Sequence, residues 1–232
     1  MEFKSAGHIQ SFIGYLQFEK RYSAHTIRAY KDDLHFFFQY LLEQYDEPEI
    51  TAINAPMVKS WLAAMKSGGL ESRSLNRNIS VLKSFFRYLI KAGTVKDTPM
   101  QAVISPKAGK KLPVYVEEDT MRQLWDKVEF PEGFEGITHR IILSLFYNTG
   151  MRLSELMLLK ISQISEGSSW IRVWGKGNKE RVIPVSEGLL QDIKEYIRAK
   201  EENFKGEEYN REYLLVTPKG KKLYPKYLYK VV

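Results

Sequence analysis

Arg152 stands two residues after Gly150, in the run Tyr147-Asn148-Thr149-Gly150-Met151-Arg152-Leu153-Ser154-Glu155-Leu156. A helix should end at the glycine, and a new one should begin just beyond the arginine. A guanidinium held there is rigidly placed, and its planar fork can take two non-bridging oxygens of one phosphate. During phosphoryl transfer such a clamp stabilises charge on the equatorial oxygens. Glu155, three residues on, is within reach to orient the guanidinium or to cap the helix start. The alternative is that Arg152 is simply half of an internal salt bridge. Downstream, Gly175-Lys176-Gly177-Asn178-Lys179-Glu180-Arg181 reads as a glycine-rich hairpin tip. Lys176, flanked by glycines, sits on backbone free to approach a ligand closely. Its ammonium can donate a proton to a leaving 5′-oxygen, as a general acid should. Lys179 and Arg181 fit phosphate contacts on the same hairpin, although charged turn residues are common at any hairpin tip. These glycines lack the spacing of a nucleotide-binding loop and lie between strands rather than before a helix.

The elements that must carry these residues follow from periodicity. The first hundred residues read as four helices. Ile9, Phe12, Ile13 and Leu16 recur at helical spacing. After Ser23 a long helix runs from Thr26 to about Gln44, with Ile27, Tyr30, Leu34, Phe37, Phe38 and Leu41 facing inward. Asn54, with Pro56 two residues on, marks a third start, stopped by Gly68-Gly69. A fourth helix spans about Ser72 to Ala92, with Gly93 as its C-terminal cap. Pro99, Pro106 and Pro113, with Lys107, Lys110 and Lys111, then break the pattern. The division expected is therefore a helical domain over 1–106, a basic linker over 107–113 and a mixed domain over 114–232. In the last, Glu117–Val128 and Thr138–Tyr147 read as helices, and Ser154 as the cap of a short one. Trp170–Trp174 and Val182–Val185 read as strands, and Ser186 caps a further helix to about Glu202.

Charge supplies the next clue. The chain has 232 residues, 44% hydrophobic and 27% charged, with a net charge of +7 and no cysteine. Disulfides, zinc–thiolate sites and cysteine nucleophiles are thereby excluded. The four histidines, His8, His25, His35 and His139, have no metal-ligand spacing. No stretch approaches the apolar length of a membrane span, and no targeting sequence is evident, so a cytoplasmic protein is expected. On the fourth helix Arg73, Arg77, Lys83, Arg87 and Lys91 share an arc of roughly 120° at 100° per residue, opposite Leu75, Ile79, Leu82, Phe85, Phe86 and Leu89. A solvated outer face is one reading. Unpaired cations on one face better suit phosphates, since each contact releases condensed counterions.

Five segments in order resemble the tyrosine recombinases of the phage-integrase and Xer type. They are Ser23–Leu34, Leu75–Leu89, the linker with Pro106-Lys107 and Leu112-Pro113, Tyr147–Leu156, and Gly175–Arg181. The resemblance implies a multidomain fold: an all-α, SAM-like four-helix core-binding domain, then a mixed α+β catalytic domain that is incomplete here. It implies site-specific recombination of double-stranded DNA through a 3′-phosphotyrosyl intermediate, in integration or chromosome-dimer resolution, with no cofactor and no metal. The partners implied are duplex DNA and other recombinase subunits, a tetramer on the DNA synapse and a monomer without it. Matched residue by residue, Arg152 is the first phosphate-clamping arginine and Lys176 the hairpin general acid. Thr26, Tyr30, Arg73, Arg77, Lys83, Arg87, Lys107, Lys179 and Arg181 are the expected DNA contacts.

One departure limits the match. The family's second arginine lies in a histidine–two residues–arginine motif, followed by the tyrosine nucleophile. No histidine follows Arg152 here, and Tyr224, Tyr227 and Tyr229 stand upstream of where that motif belongs. The expectation is a truncated chain that binds DNA without cleaving it. The alternative is a non-catalytic DNA-binding accessory protein on a recombinase scaffold.

Overall fold

The computed structural model describes residues 4–109, 123, 125, 127–165, 167, 169–175, 177 and 179–232. The chain divides into two compact units, Met1–Pro113 and Val114–Val232, and each has its own apolar core.

Every element described in the first unit is a helix. Helix α1 (Ala6–Gly14) runs on into a π-helical turn at Tyr15–Glu19, and α2 spans Ala24–Tyr45. Helix α3 covers Ala55–Ser67 and α4 covers Ser72–Lys91. The starts follow capping chemistry: Ser23 Oγ accepts from the Thr26 amide, and Asn54 Oδ1 from the Met57 amide. At the end of α4, Gly93 takes φ 72°, and the Thr94 amide reaches back to the Leu89 carbonyl. That closure satisfies late helix carbonyls in a conformation a side chain resists. The inward face of α4 is mostly apolar, with Ile79, Leu82, Phe85, Phe86 and Leu89 all buried, and Asn78 is the buried polar residue among them. Phe85 meets Phe12 edge-on at 5.3 Å, and Phe37 meets Trp61 at 5.1 Å. Burying each such side chain contributes about 1.5–3 kcal/mol, so α1, α2 and α3 are bound to α4 by its sequence pattern.

The second unit mixes helices with a small sheet. Residues 123, 125 and 127 are helical; most of the helix expected over Glu117–Val128 lies outside the described residues. Helix α5 (Gly133–Thr149) begins earlier than its apolar run predicted and ends at Gly150, which takes φ 57°. Helix α6 (Leu153–Met157) follows at once. Strands β1 (Ile164–Ser165), β2 (Trp170–Trp174) and β3 (Glu180–Pro184) form an antiparallel sheet in that order. Arg172 pairs with Val182 in the β2–β3 register, so the turn is tighter than the seven residues expected. Ser186 caps α7 (Glu187–Asn203), and α8 (Pro225–Val231) lies near the C-terminal end of the chain. Ile142 and Leu145 of α5, Leu156 of α6, Ile171 of β2, Leu189 and Ile193 of α7 and Leu228 of α8 meet in one core, with Ile164 of β1 and Ile183 of β3 packed against it.

Candidate functional site

Between α5 and α6 the chain turns once, and that turn fixes Arg152. The αL glycine ends α5, and Arg152 occupies the N-cap position of α6 in extended conformation, φ −73° and ψ 154°. The expected cap, Ser154, is instead inside the helix. Capping comes from Glu155, whose Oε2 accepts from the Arg152 amide at 2.8 Å. The same carboxylate takes the Arg152 side chain, Nη1 donating to Oε1 at 2.9 Å. Both roles open to Glu155 from its spacing are thus filled at once.

Strand β3 brings a second guanidinium to that carboxylate. Arg181 donates from Nη1 to Oε1 at 2.6 Å and from Nη2 to Oε2 at 2.8 Å. The Glu155 side chain is only 2% exposed, against 63% for Arg152 and 37% for Arg181. Burial pushes the Glu155 carboxyl up, but hydrogen bonds from Arg181, and from Arg152 through backbone and side chain, outweigh it and hold the carboxyl at about 2. Two guanidinia share one carboxylate, so the cluster keeps one unit of positive charge. The hairpin base closes over it. A Cβ on Gly175 would stand 3.3 Å from Glu155 Oε1, 3.4 Å from Arg181 Nη1 and 3.5 Å from Arg152 Nη1. The Gly175 amide bonds the Lys179 carbonyl at 2.8 Å, and Lys179 itself is exposed. Lys176 lies outside the described residues. Sequence reasoning aimed Arg181 at phosphate; its bidentate bond to Glu155 was missed because the two are 26 residues apart and meet only through the β2–β3 fold.

The tyrosines near the C-terminal end differ in environment. Tyr227 is 8% exposed, and its hydroxyl lies 3.1 Å from His139 Nε2. Burial, with the charge of Glu135, pushes its phenol up to about 12. Tyr224 and Tyr229 are exposed. Among the described residues no cluster of three or more His, Asp or Glu side chains is placed to hold a metal ion.

In the first unit the cationic face of α4 exists, with two corrections. Arg73, Lys83 and Arg87 are exposed, and none has a carboxylate within salt-bridge distance among the described residues. Arg77, expected to be unpaired, donates from Nη2 to Asp33 Oδ1 on α2 at 2.7 Å. Asp33 is 5% exposed while the Arg77 side chain remains 58% exposed. Lys91 lies 3.8 Å from Glu19 and stacks over Tyr15. The signal for Asp33 was present: it falls on the inward stripe of α2, between Tyr30 and Phe37 at i+3 and i+4 spacing, where an acid needs a partner. Thr26 bonds its own cap, Oγ1 lying 2.9 Å from Ser23 Oγ. Tyr30 packs half-buried against Phe12 and Tyr22. Lys107 is exposed, one residue after Pro106, whose carbonyl accepts from Asn76 of α4. Thus Arg152 and Arg181 meet at one carboxylate, and Arg73, Arg77, Lys83 and Arg87 line one helix.

Comparison with known proteins gives a consistent picture. Residues 9–93 match the N-terminal SAM-like domain of phage integrases, and residues 115–232 match the phage integrase family. A tyrosine recombinase XerC of Staphylococcus saprophyticus is 33% identical over 211 residues, covering 91% of this chain and 69% of that protein. A tyrosine recombinase XerC of Chlorobaculum parvum is 28% identical over 243 residues, covering 94% and 71%. A crystal structure of a lambda integrase dimer, bound to a COC′ core site, superposes with a TM-score of 0.72 at 17% identity. That match covers 97% of this chain and 75% of the other. The Tn1549 transposon integrase, in complex with transposon right end DNA, gives 0.72 at 16% identity over 93% of this chain and 73% of its own. At these identities the two structures show the fold, a SAM-like helical domain with a helical catalytic domain carrying a small antiparallel sheet.

Proposed function

Because this chain belongs to the phage integrase family, we propose that it serves site-specific recombination of double-stranded DNA as a tyrosine recombinase of the Xer kind. The observation that carries the reading is the buried carboxylate of Glu155 under two guanidinia, closed by the Gly175 hairpin base. This arrangement fits an anion site. Arg152 spends only Nη1 on Glu155 and keeps its other N–H groups for a phosphate. On the hairpin, Lys176 supplies the proton for the leaving 5′-oxygen and Lys179 a further phosphate contact. Arg73, Arg77, Lys83 and Arg87 on α4, with Thr26, Tyr30 and Lys107, hold the duplex. Other recombinase subunits share the DNA in a synapse, as the two lambda integrase subunits share their COC′ core site.

Residues 1–232 on this reading hold DNA without cutting it. In-line attack needs an attacking oxygen set beside the clamp, and Tyr227 is buried against His139, while Tyr224 and Tyr229 stand upstream of where the family's nucleophile motif belongs. Fluorescence anisotropy on a labelled 30-bp duplex tests the binding half. Affinity should fall steeply as salt rises from about 50 to 200 mM, the mark of several phosphate contacts. Binding that is absent, or flat in salt, refutes the proposal.

A further inference from the structure

We propose that Arg181 is a positioning residue: its fork saturates Glu155 and so leaves Arg152 free to take a phosphate. The inference rests on the reading of Arg152 as a phosphate clamp, and it reassigns Arg181 from contact to support.

The bond count carries the argument. An ionised carboxylate offers about four acceptor sites. At Glu155, Oε1 accepts from Arg152 Nη1 and Arg181 Nη1, and Oε2 accepts from the Arg152 amide and Arg181 Nη2. All four are occupied, and Arg181 fills two of them. Its geometry is the parallel two-bond fork that guanidinium and carboxylate form most strongly. Arg152 makes the weaker, single side-chain bond and stays the more exposed of the two, 63% against 37%. Remove Arg181, and a carboxylate 2% exposed is left with two open acceptors beside one remaining guanidinium. Among the described residues Arg152, already bonded to Oε1, is the donor at hand to fill them. A guanidinium forked onto Glu155 has lost the edge that would otherwise meet a phosphate, so the carboxylate becomes a competitor for the clamp. Arg181, paired with Val173 across the sheet, also anchors β3 to the α6 start, which keeps Gly175 against the cluster.

The prediction therefore has an unusual sign. Loss of Arg181 should cost the Arg152 contact, and removal of the Glu155 charge should give it back. The experiment uses the whole chain and a labelled 30-bp duplex, with the slope of log affinity against log salt as readout. Arg152→Ala should lower the slope by about 0.9, one phosphate contact. Arg181→Ala should lower it by the same amount. Arg181→Ala combined with Glu155→Gln should return it to the unmodified value, because the amide oxygen can still cap α6 but no longer captures a cation. Should Arg181→Ala alone fail to fold, the double variant is compared with one that also carries Arg152→Ala; the triple should then be shallower by one contact. A double variant that stays one contact short shows that Arg181 touches phosphate itself and overturns the inference. So does an Arg181→Ala slope equal to that of the unmodified chain. Failure of the unmodified chain to bind duplex, or an unaltered slope in Arg152→Ala, overturns instead the reading of Arg152 beneath it.

Discussion

Replacing Arg77 by alanine should destabilise the first unit, and acid should undo much of the damage. Asp33 is 5% exposed, Arg77 is its hydrogen-bond donor at 2.7 Å, and its Oδ2 is buried with no partner among the described residues. Burial pushes the Asp33 carboxyl up; the Arg77 charge opposes this but does not cancel it, and Asp32 adds to the rise. Breaking a fully buried pair costs about 3–5 kcal/mol. Here the guanidinium side is more than half exposed, and water reaches the carboxylate once it is gone, so about 1–3 kcal/mol is expected. At roughly 4 °C per kcal/mol for a unit of this size, Tm should fall by roughly 4–12 °C. A carboxyl whose folded pKa lies above its unfolded value holds its proton more tightly in the folded state. Stability is therefore lost as pH rises from the unfolded towards the folded pKa, and regained on acidification. Without Arg77 that interval widens, so the Tm deficit of Arg77→Ala should shrink between pH 7 and pH 4. Asp33→Asn, by contrast, removes a buried charge and leaves an arginine that water can solvate; it should be neutral or stabilising. Thermal unfolding followed by circular dichroism at both pH values measures all three proteins. A deficit independent of pH, or Asp33→Asn as damaging as Arg77→Ala, would refute the reasoning.

Three further outcomes are expected. Replacing Arg73, Lys83 and Arg87 together by alanine should flatten the salt dependence of duplex binding by roughly 0.9 per contact with little change in Tm, since none is paired within the described residues; an unchanged slope places the DNA on another face. Residues 1–232 should form no denaturation-resistant adduct with a nicked duplex, and a peptide from Tyr224, Tyr227 or Tyr229 carrying nucleotide would end that claim. Gly136→Ala should destabilise despite alanine's better helix propensity, because its Cβ would lie 1.8 Å from the Pro131 carbonyl oxygen; overpacking of this kind costs about 1–3 kcal/mol, and a Tm at or above the original would show that the α5 start simply yields.

What could be read in advance was set by local chemistry. Asn54 and Ser186 declare helix starts through their own side chains, and each accepts the expected amide; Ser23 does the same for α2, which begins at Ala24 rather than at the expected Thr26. The alternation of Trp170–Trp174 gives β2 to the residue. The start of α5 was placed too late, since Gly133 to Gly136 interrupt the apolar run that marks the rest. Ser154 is the conventional capping type, but a glutamate at the third helical position caps α6 instead. Pairings across the fold were less accessible. Arg77 with Asp33 spans 44 positions and Arg181 with Glu155 spans 26, distances at which spacing carries no register.

The two buried acids make one physical contrast. Each unit places a carboxylate beneath a half-exposed arginine, at Asp33 in the first and Glu155 in the second. Burial raises both, and the number of donors decides which way each finally moves. Glu155 has four bonds and is held at about 2. Asp33 has one bond to one of its oxygens and stays raised. Glu155 is therefore ionised across the range in which DNA is bound, and a fixed anion there holds Arg152 without titrating. Asp33 is the softer support, and acid loosens its hold on Arg77. On the reading that both arginines meet DNA, moderate acid should strengthen the contribution of Arg77, as the neutralised Asp33 releases its fork for phosphate, while leaving that of Arg152 unchanged. Comparing the salt slopes of Arg77→Ala and Arg152→Ala with the unmodified chain at pH 7 and pH 5 separates the two; equal acid sensitivity at both sites would show that donor count does not govern these supports.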